Sequence, residues 1–126
     1  MIIRLPWPDS ALMPNRKNGK HWGASLDAKV NALEYAYMAT KAAGTFTPGD
    51  GAIPISILFL EPDKRRRDLD NLLASMKPAI DGIAKALNVD DHRFSPILLD
   101  RATGPKYGAV VVAVGVTIQS FQELHD

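Results

Sequence analysis

Residues 53–60, Ile-Pro-Ile-Ser-Ile-Leu-Phe-Leu, run for eight positions without a charge, and no other stretch constrains the fold as strongly. A run of this length, between Gly51 and the polar segment Glu61–Arg67, reads as a strand buried in a sheet. It falls far short of the ~20 apolar residues that a membrane-spanning helix needs. A buried strand requires neighbours in its sheet and a layer packed over them. The rest of the chain has to supply both.

Ile2–Leu5 is a short strand closed by Pro6 and Pro8. Residues 9–23 form a loop rich in Pro, Asn, Gly and basic side chains. Ser25 suits the N-cap of a helix that runs to Ala43 and stops at Gly44. Leu26, Val30, Leu33, Tyr37 and Met38 fall at helical spacing and are its expected core-facing stripe. A second helix begins near Asp68 or Asp70 and runs to Leu87, with Asn88 as its C-cap. Pro78 lies inside it and predicts a kink or a restart. Ile97–Arg101 and Ala109–Ile118 are strands joined through residues 103–108 by a hairpin-type connection, and the tail beyond Ser120 is expected to fray.

The order β-α-β-α-β-β predicts an α+β fold of two layers. A mixed sheet of about four strands carries two helices on one face. With 126 residues, 46% of them hydrophobic and 23% charged, residues 1–126 make one domain.

The chain has no cysteine, which removes disulfide scaffolds, cysteine-ligated metals and thiol nucleophiles. His21, His92 and His125 lack the spacing of a metal site. Met1-Ile2-Ile3-Arg4 leads directly to Pro6 and Trp7 without an apolar signal segment, so a cytoplasmic protein with no membrane association is expected. The net charge of +1 conceals a division. Residues 1–67 hold ten Lys/Arg against six Asp/Glu, and residues 68–126 hold five against eight. A basic region that abuts an acidic one suits an anionic polymer held beside a bound cation.

That boundary falls inside Asp63-Lys64-Arg65-Arg66-Arg67-Asp68-Leu69-Asp70-Asn71. Asp68 and Asp70, two residues apart on an extended approach to a helix, project to one side. Mg²⁺ takes one or two such carboxylates together with phosphate and water. The plainer alternative makes one Asp a helix N-cap and sets the other on the helix dipole. Arg65, Arg66 and Arg67 are candidates for phosphate contact, since guanidinium groups bind phosphate oxygens bidentately; otherwise they are a solvated loop face. Arg16, Lys17 and Lys20 make a looser basic patch with the same two readings. Asp90-Asp91 is a second acidic pair, functional or merely a solvated turn.

Taken together, these motifs resemble the RusA family of Holliday-junction resolvases, small endodeoxyribonucleases of bacteria and phages. Leu5-Pro6-Trp7-Pro8 is similar to the family's N-terminal strand and turn. Arg65-Arg66-Arg67-Asp68-Leu69-Asp70-Asn71-Leu72 is similar to its signature, and Val89-Asp90-Asp91 to its second acidic motif. The resemblance implies that Asp68, Asp70 and Asp91 are catalytic and hold Mg²⁺ or Mn²⁺, and that Arg67 contacts DNA. Ala74 stands where the family carries its catalytic lysine, and Lys77, three residues on, is the nearest replacement. The alternative for Lys77 is a surface ion pair with Asp81 at i, i+4.

The resemblance further implies a homodimer that resolves four-way junctions by paired, symmetric nicks in recombination and repair. Two other expectations stay open: a structure-selective nuclease on other branched phage DNA, and a non-catalytic junction-binding protein.

Overall fold

The computed structural model describes residues 1–14 and 22–115. Four strands and three helices follow one another along the chain. They are β1 (Ile2–Leu5), α1 (Trp22–Ala42), β2 (Ile53–Glu61), α2 (Leu69–Ser75), α3 (Lys77–Leu87), β3 (Phe94–Thr103) and β4 (Ala109–Val114). Single 3₁₀ turns occupy Ser10–Leu12 and Asp91–Arg93. The strands form one mixed sheet in the order β1-β4-β2-β3, with β2 and β3 parallel and β4 antiparallel to both of its neighbours. This is the α+β architecture that the element order implied.

The uncharged run is a central strand. Ile55, Ile57 and Phe59 of β2 join Val110, Val112 and Val114 of β4 and Ile3 and Leu5 of β1 in the main core. Leu72, Met76, Ile80 and Ile83 pack onto that core from α2 and α3. The alternate residues Leu58, Leu60, Ala109, Val111 and Ala113 form a second buried cluster, as the two-residue period of a strand requires.

The second helix does break at the proline. Met76 closes α2 and, with ψ near −5°, also precedes α3, whose second residue is Pro78. Proline is tolerated there because the amide it lacks has no partner in a first turn. Asn88 caps α3 at φ 57° and ψ 45°, a left-handed conformation that asparagine adopts more readily than most residues.

Two expectations are overturned. Strands β3 and β4 are not a hairpin, because β2 lies between them. A connection of five residues crosses the end of one strand, which still leaves β3 and β4 antiparallel. The buried face of α1 is also different. Ala28, Ala36 and Thr40 are buried, whereas Leu26 (48% exposed), Val30 and Met38 (65%) face outward and Leu33 and Tyr37 are half-buried.

Close packing of α1 on α3 explains this. A Cβ added to Gly82 of α3 would lie 2.3 Å from the Leu33 carbonyl oxygen, so the contact admits only small residues. The polar Thr40 is accommodated there because its hydroxyl donates to the Ala36 carbonyl at 2.7 Å. Helix α1 also begins at Trp22, ahead of Ser25. Residues 116–118 of the expected last strand, the tail beyond Ser120, His21 and His125 lie outside the described residues.

Candidate functional site

Register sets the layout. Leu5 pairs with Val110, Leu60 with Ala109, and Glu61 with Thr103. The C-terminal ends of β1, β2 and β3 therefore lie together at one end of the sheet. Three segments leave from that end: the loop after β1 with Trp7, the Pro62–Asp68 run after β2, and the loop 104–108 after β3. A cleft of about 570 Å³ opens there, lined by Trp7, Ser10 and Met13 from the first segment, by Arg65–Asp68 from the second and by Asn71 and Leu72 of α2.

The three arginines do different things. Arg67 is turned into the fold, its side chain only 15% exposed. It donates to Asp63 Oδ1 at 2.9 Å and to the Arg65 carbonyl at 3.1 Å, and its guanidinium sits 5.2 Å from the Trp7 ring centroid. Glu61 lies beneath, 3.7 Å from Arg67 Nη1 and 3.4 Å from Arg101 Nη1. Arg101 spends its hydrogen bond on the Arg67 carbonyl at 2.7 Å, and the buried Glu61 Oε1 accepts none. Asp63 is held below the usual carboxylate range, first by the Arg65 backbone N–H and then by Arg67. Arg65, with its side chain 78% exposed, and Arg66 face solvent.

Asp68 is the N-cap residue of α2 and Asp70 lies in its first turn. The plainer alternative is thus met in position, with Asp68 at the N-cap and Asp70 on the helix dipole, although the Asp68 side chain makes no capping bond. Both carboxylates are exposed. Among the described residues neither makes a side-chain hydrogen bond or ion pair.

Asp91 is placed differently. Because β3 runs parallel to β2, Phe94 pairs with Ile53, and Asp91 enters from the opposite end of the sheet. Helices α2 and α3 carry the chain between the two ends, and the break at Met76 sets Lys77 at the start of α3. Lys77 Nζ donates to Asp91 Oδ2 at 2.5 Å and to Asp81 Oδ1 at 3.0 Å. Both the i, i+4 pair and a contact with the second acidic motif are therefore made. Lys77 is shifted upward first by Asp91 and then by Asp81, and Asp91 is shifted downward chiefly by the Lys77 hydrogen bond.

The three expected metal ligands thus do not meet as one cage. Among the described residues no group of three Asp, Glu or His side chains is arranged to hold a metal ion. The donor chemistry of Asp68 and Asp70, two hard oxygen groups without a partner among the described residues, still suits Mg²⁺, which needs no more than two protein carboxylates. Asp91 faces an ammonium group instead.

The structure thus joins Asp91 to Lys77 and Arg67 to Asp63, and leaves Arg65, Arg66, Asp68 and Asp70 open to solvent. Arg16, Lys17 and Lys20 lie outside the described residues. Sequence reasoning passed over Glu61, whose signal was a lone acid ending an apolar strand beside a basic run.

No protein-family model matches the chain. An uncharacterized protein of Xylella fastidiosa (strain Temecula1 / ATCC 700964) is 36% identical over 124 residues, covering 94% of this chain and 78% of that protein. Among the described residues no helix is long and apolar enough to cross a membrane. Identity at this level across nearly the whole chain means that it belongs to the same family as the Xylella protein.

Proposed function

We propose that this chain is a divalent-metal-dependent endodeoxyribonuclease of the RusA type, acting on branched DNA and on four-way junctions above all. The observation that carries this reading is the Lys77–Asp91 contact at 2.5 Å. It joins the lysine nearest to the family's catalytic position with the acid of the second motif, across 14 residues of sequence. The open pair Asp68 and Asp70, next to the exposed Arg65 and Arg66, adds to it.

The reaction is hydrolysis of a phosphodiester. Water attacks phosphorus, the P–O bond to one sugar breaks, and the leaving alkoxide gains a proton. Arg65 and Arg66 receive the phosphates that flank the scissile one, and their charge offsets that of the backbone. Asp68 and Asp70 would hold Mg²⁺ or Mn²⁺, which supplies Lewis-acid activation of water and charge neutralisation at phosphorus. Lys77 restrains Asp91 and brings a positive charge to the acidic side of the site. Arg67 acts through the loop, by fixing the path of residues 63–67.

A four-way junction has near-twofold symmetry and requires two opposed cuts, which a C2 homodimer provides by presenting the same site twice. The working compartment is the cytoplasm, where such DNA lies.

Asp68 and Asp70 stand as a pair, with no three-carboxylate group among the described residues, and this favours a second reading: a junction-binding protein without turnover. A synthetic four-way junction with labelled strands, incubated in Mg²⁺ and separately in EDTA, separates the two. Paired nicks at symmetric positions in Mg²⁺ alone are expected. Tight binding without nicks in Mg²⁺ or Mn²⁺ identifies the non-catalytic protein, and nicking confined to flaps identifies another branched-DNA nuclease.

A further inference from the structure

The loop Gly104-Pro105-Lys106-Tyr107-Gly108 joins β3 to β4. Its tip carries Tyr107, 78% exposed and the most exposed of the large hydrophobic residues described. An isolated surface tyrosine needs no explanation in itself. Three features of this one do.

The base of the loop is fixed. The Gly104 N–H donates to the Glu61 carbonyl at 2.8 Å and the Gly108 N–H to the Pro105 carbonyl at 2.9 Å. A Cβ on Gly104 would lie 2.5 Å from the Leu60 carbonyl carbon, and one on Gly108 would lie 3.0 Å from Pro62 Cδ and 3.1 Å from the Trp7 ring. Gly108 also has φ +73°. The tip therefore projects from a close-packed footing, and little ordering cost remains when it binds.

The ring also has a cation beside it, with Lys106 Nζ 5.4 Å from its centroid. Finally, the loop stands on the residues that begin the basic run. Glu61 and Pro62, which hold its two ends, lead into the exposed Lys64, Arg65 and Arg66. One end of the sheet thus presents cations suited to phosphates together with an aromatic face suited to a base.

We propose that Tyr107, flanked by Lys106, is a stacking platform for an unpaired DNA base, resting on the reading of this chain as a branched-DNA nuclease. Every base has a π-face, so such a platform is tolerant of sequence. It rewards substrates whose bases are already open at low cost, as at a branch point. That would give the protein a preference for branched over plain duplex DNA without any reading of base edges.

The test uses the full chain, with 2-aminopurine at the branch point of a four-way junction and, separately, in a single-stranded oligonucleotide. Binding is measured in EDTA and nicking in Mg²⁺. Wild type is expected to quench the 2-aminopurine. Tyr107→Ala should lose the quench and bind about tenfold more weakly, with the slope of affinity against salt unchanged because no phosphate contact is lost. Tyr107→Phe should behave as wild type.

Wild-type affinity and quench in Tyr107→Ala would overturn the platform, and if junctions are still nicked the nuclease reading survives. Quench lost in Tyr107→Ala, with no nicking by wild type in Mg²⁺ or Mn²⁺, keeps the platform and removes the nuclease. No binding of either DNA by wild type removes both.

Discussion

Arg67 and Lys77 make an instructive pair. Each is a cation held by two carboxylates, Arg67 by Glu61 and Asp63 and Lys77 by Asp81 and Asp91. Arg67 is three-quarters enclosed or more, stacked on Trp7, and bonded to neighbours within its own loop. Lys77 has a side chain 63% exposed and joins segments 14 residues apart. The first cation is consumed by the fold, while the second stays open to solvent between two motifs. Position in a motif is therefore a poor guide to role. Arg65, two residues from Arg67, is the better candidate for phosphate contact because, among the described residues, only a distant Asp63 oxygen, at 3.9 Å, engages its side chain.

Three experiments test that contrast. The largest effect falls on Lys77. Lys77→Ala should cut single-turnover nicking at least tenfold while melting temperature and junction affinity barely move, because an exposed ion pair contributes little to stability. Full activity in that variant would reduce Lys77 to a surface pair and give its role to another cation.

Arg67→Ala should do the opposite. It leaves Glu61, which is mostly buried, short of a cation, and it strips the cover from Trp7. A loss of about 1–3 kcal/mol is expected, seen as a melting temperature lower by several degrees. Arg65→Ala should melt as wild type and flatten the salt dependence of DNA binding by about one unit of slope. If the two arginine variants exchange these phenotypes, the assignment of roles is wrong.

The smallest effect is in pH. The folded-state pKa of Asp91 is depressed, so its contribution to stability is present above the unfolded value near 4 and is lost as pH falls through the folded value. For Lys77 the folded value is raised, so its contribution is present below the unfolded value near 10.4 and is lost as pH rises past the folded one. The denaturation midpoints of wild type and Asp91→Asn should thus differ by a constant amount between about pH 5 and pH 9 and converge as pH falls through the depressed folded-state value of Asp91. A difference that varies across neutral pH would mean that another group holds Asp91.

Much of the fold was legible in the sequence, for identifiable reasons. The uncharged run 53–60 announced the central strand, Pro78 the break between α2 and α3, and Asn88 the end of α3, since each depends on local chemistry. The order of the strands did not follow. A hairpin and a pair separated by β2 both leave β3 and β4 antiparallel, and only the tertiary arrangement distinguishes them. The buried face of α1 was hidden for a related reason. Periodicity favours Leu26 and Val30, but the close approach at Gly82 selects Ala28, Ala36 and Thr40.

At the candidate site, charge density singled out the segment 63–71 but could not separate the enclosed Arg67 from the open Arg65. Nor could it foresee that Lys77 would take both Asp81 and Asp91. Tyr107 had a faint signal, an aromatic between turn-forming glycines with no periodicity to bury it.

In the proposed function, Asp68 and Asp70 are the open carboxylates of a DNA-cleaving site. The most direct test of that role is a single-turnover time course on a labelled four-way junction, with wild type and Asp70→Asn each at saturating concentration in Mg²⁺. Wild type should produce paired symmetric nicks. Asp70→Asn should bind the junction as tightly or slightly more tightly, having shed a negative charge near DNA, and should cut it at least a hundredfold more slowly, on the order of 2.7 kcal/mol in the barrier. Equal cutting by the two proteins, or none by wild type, would contradict it.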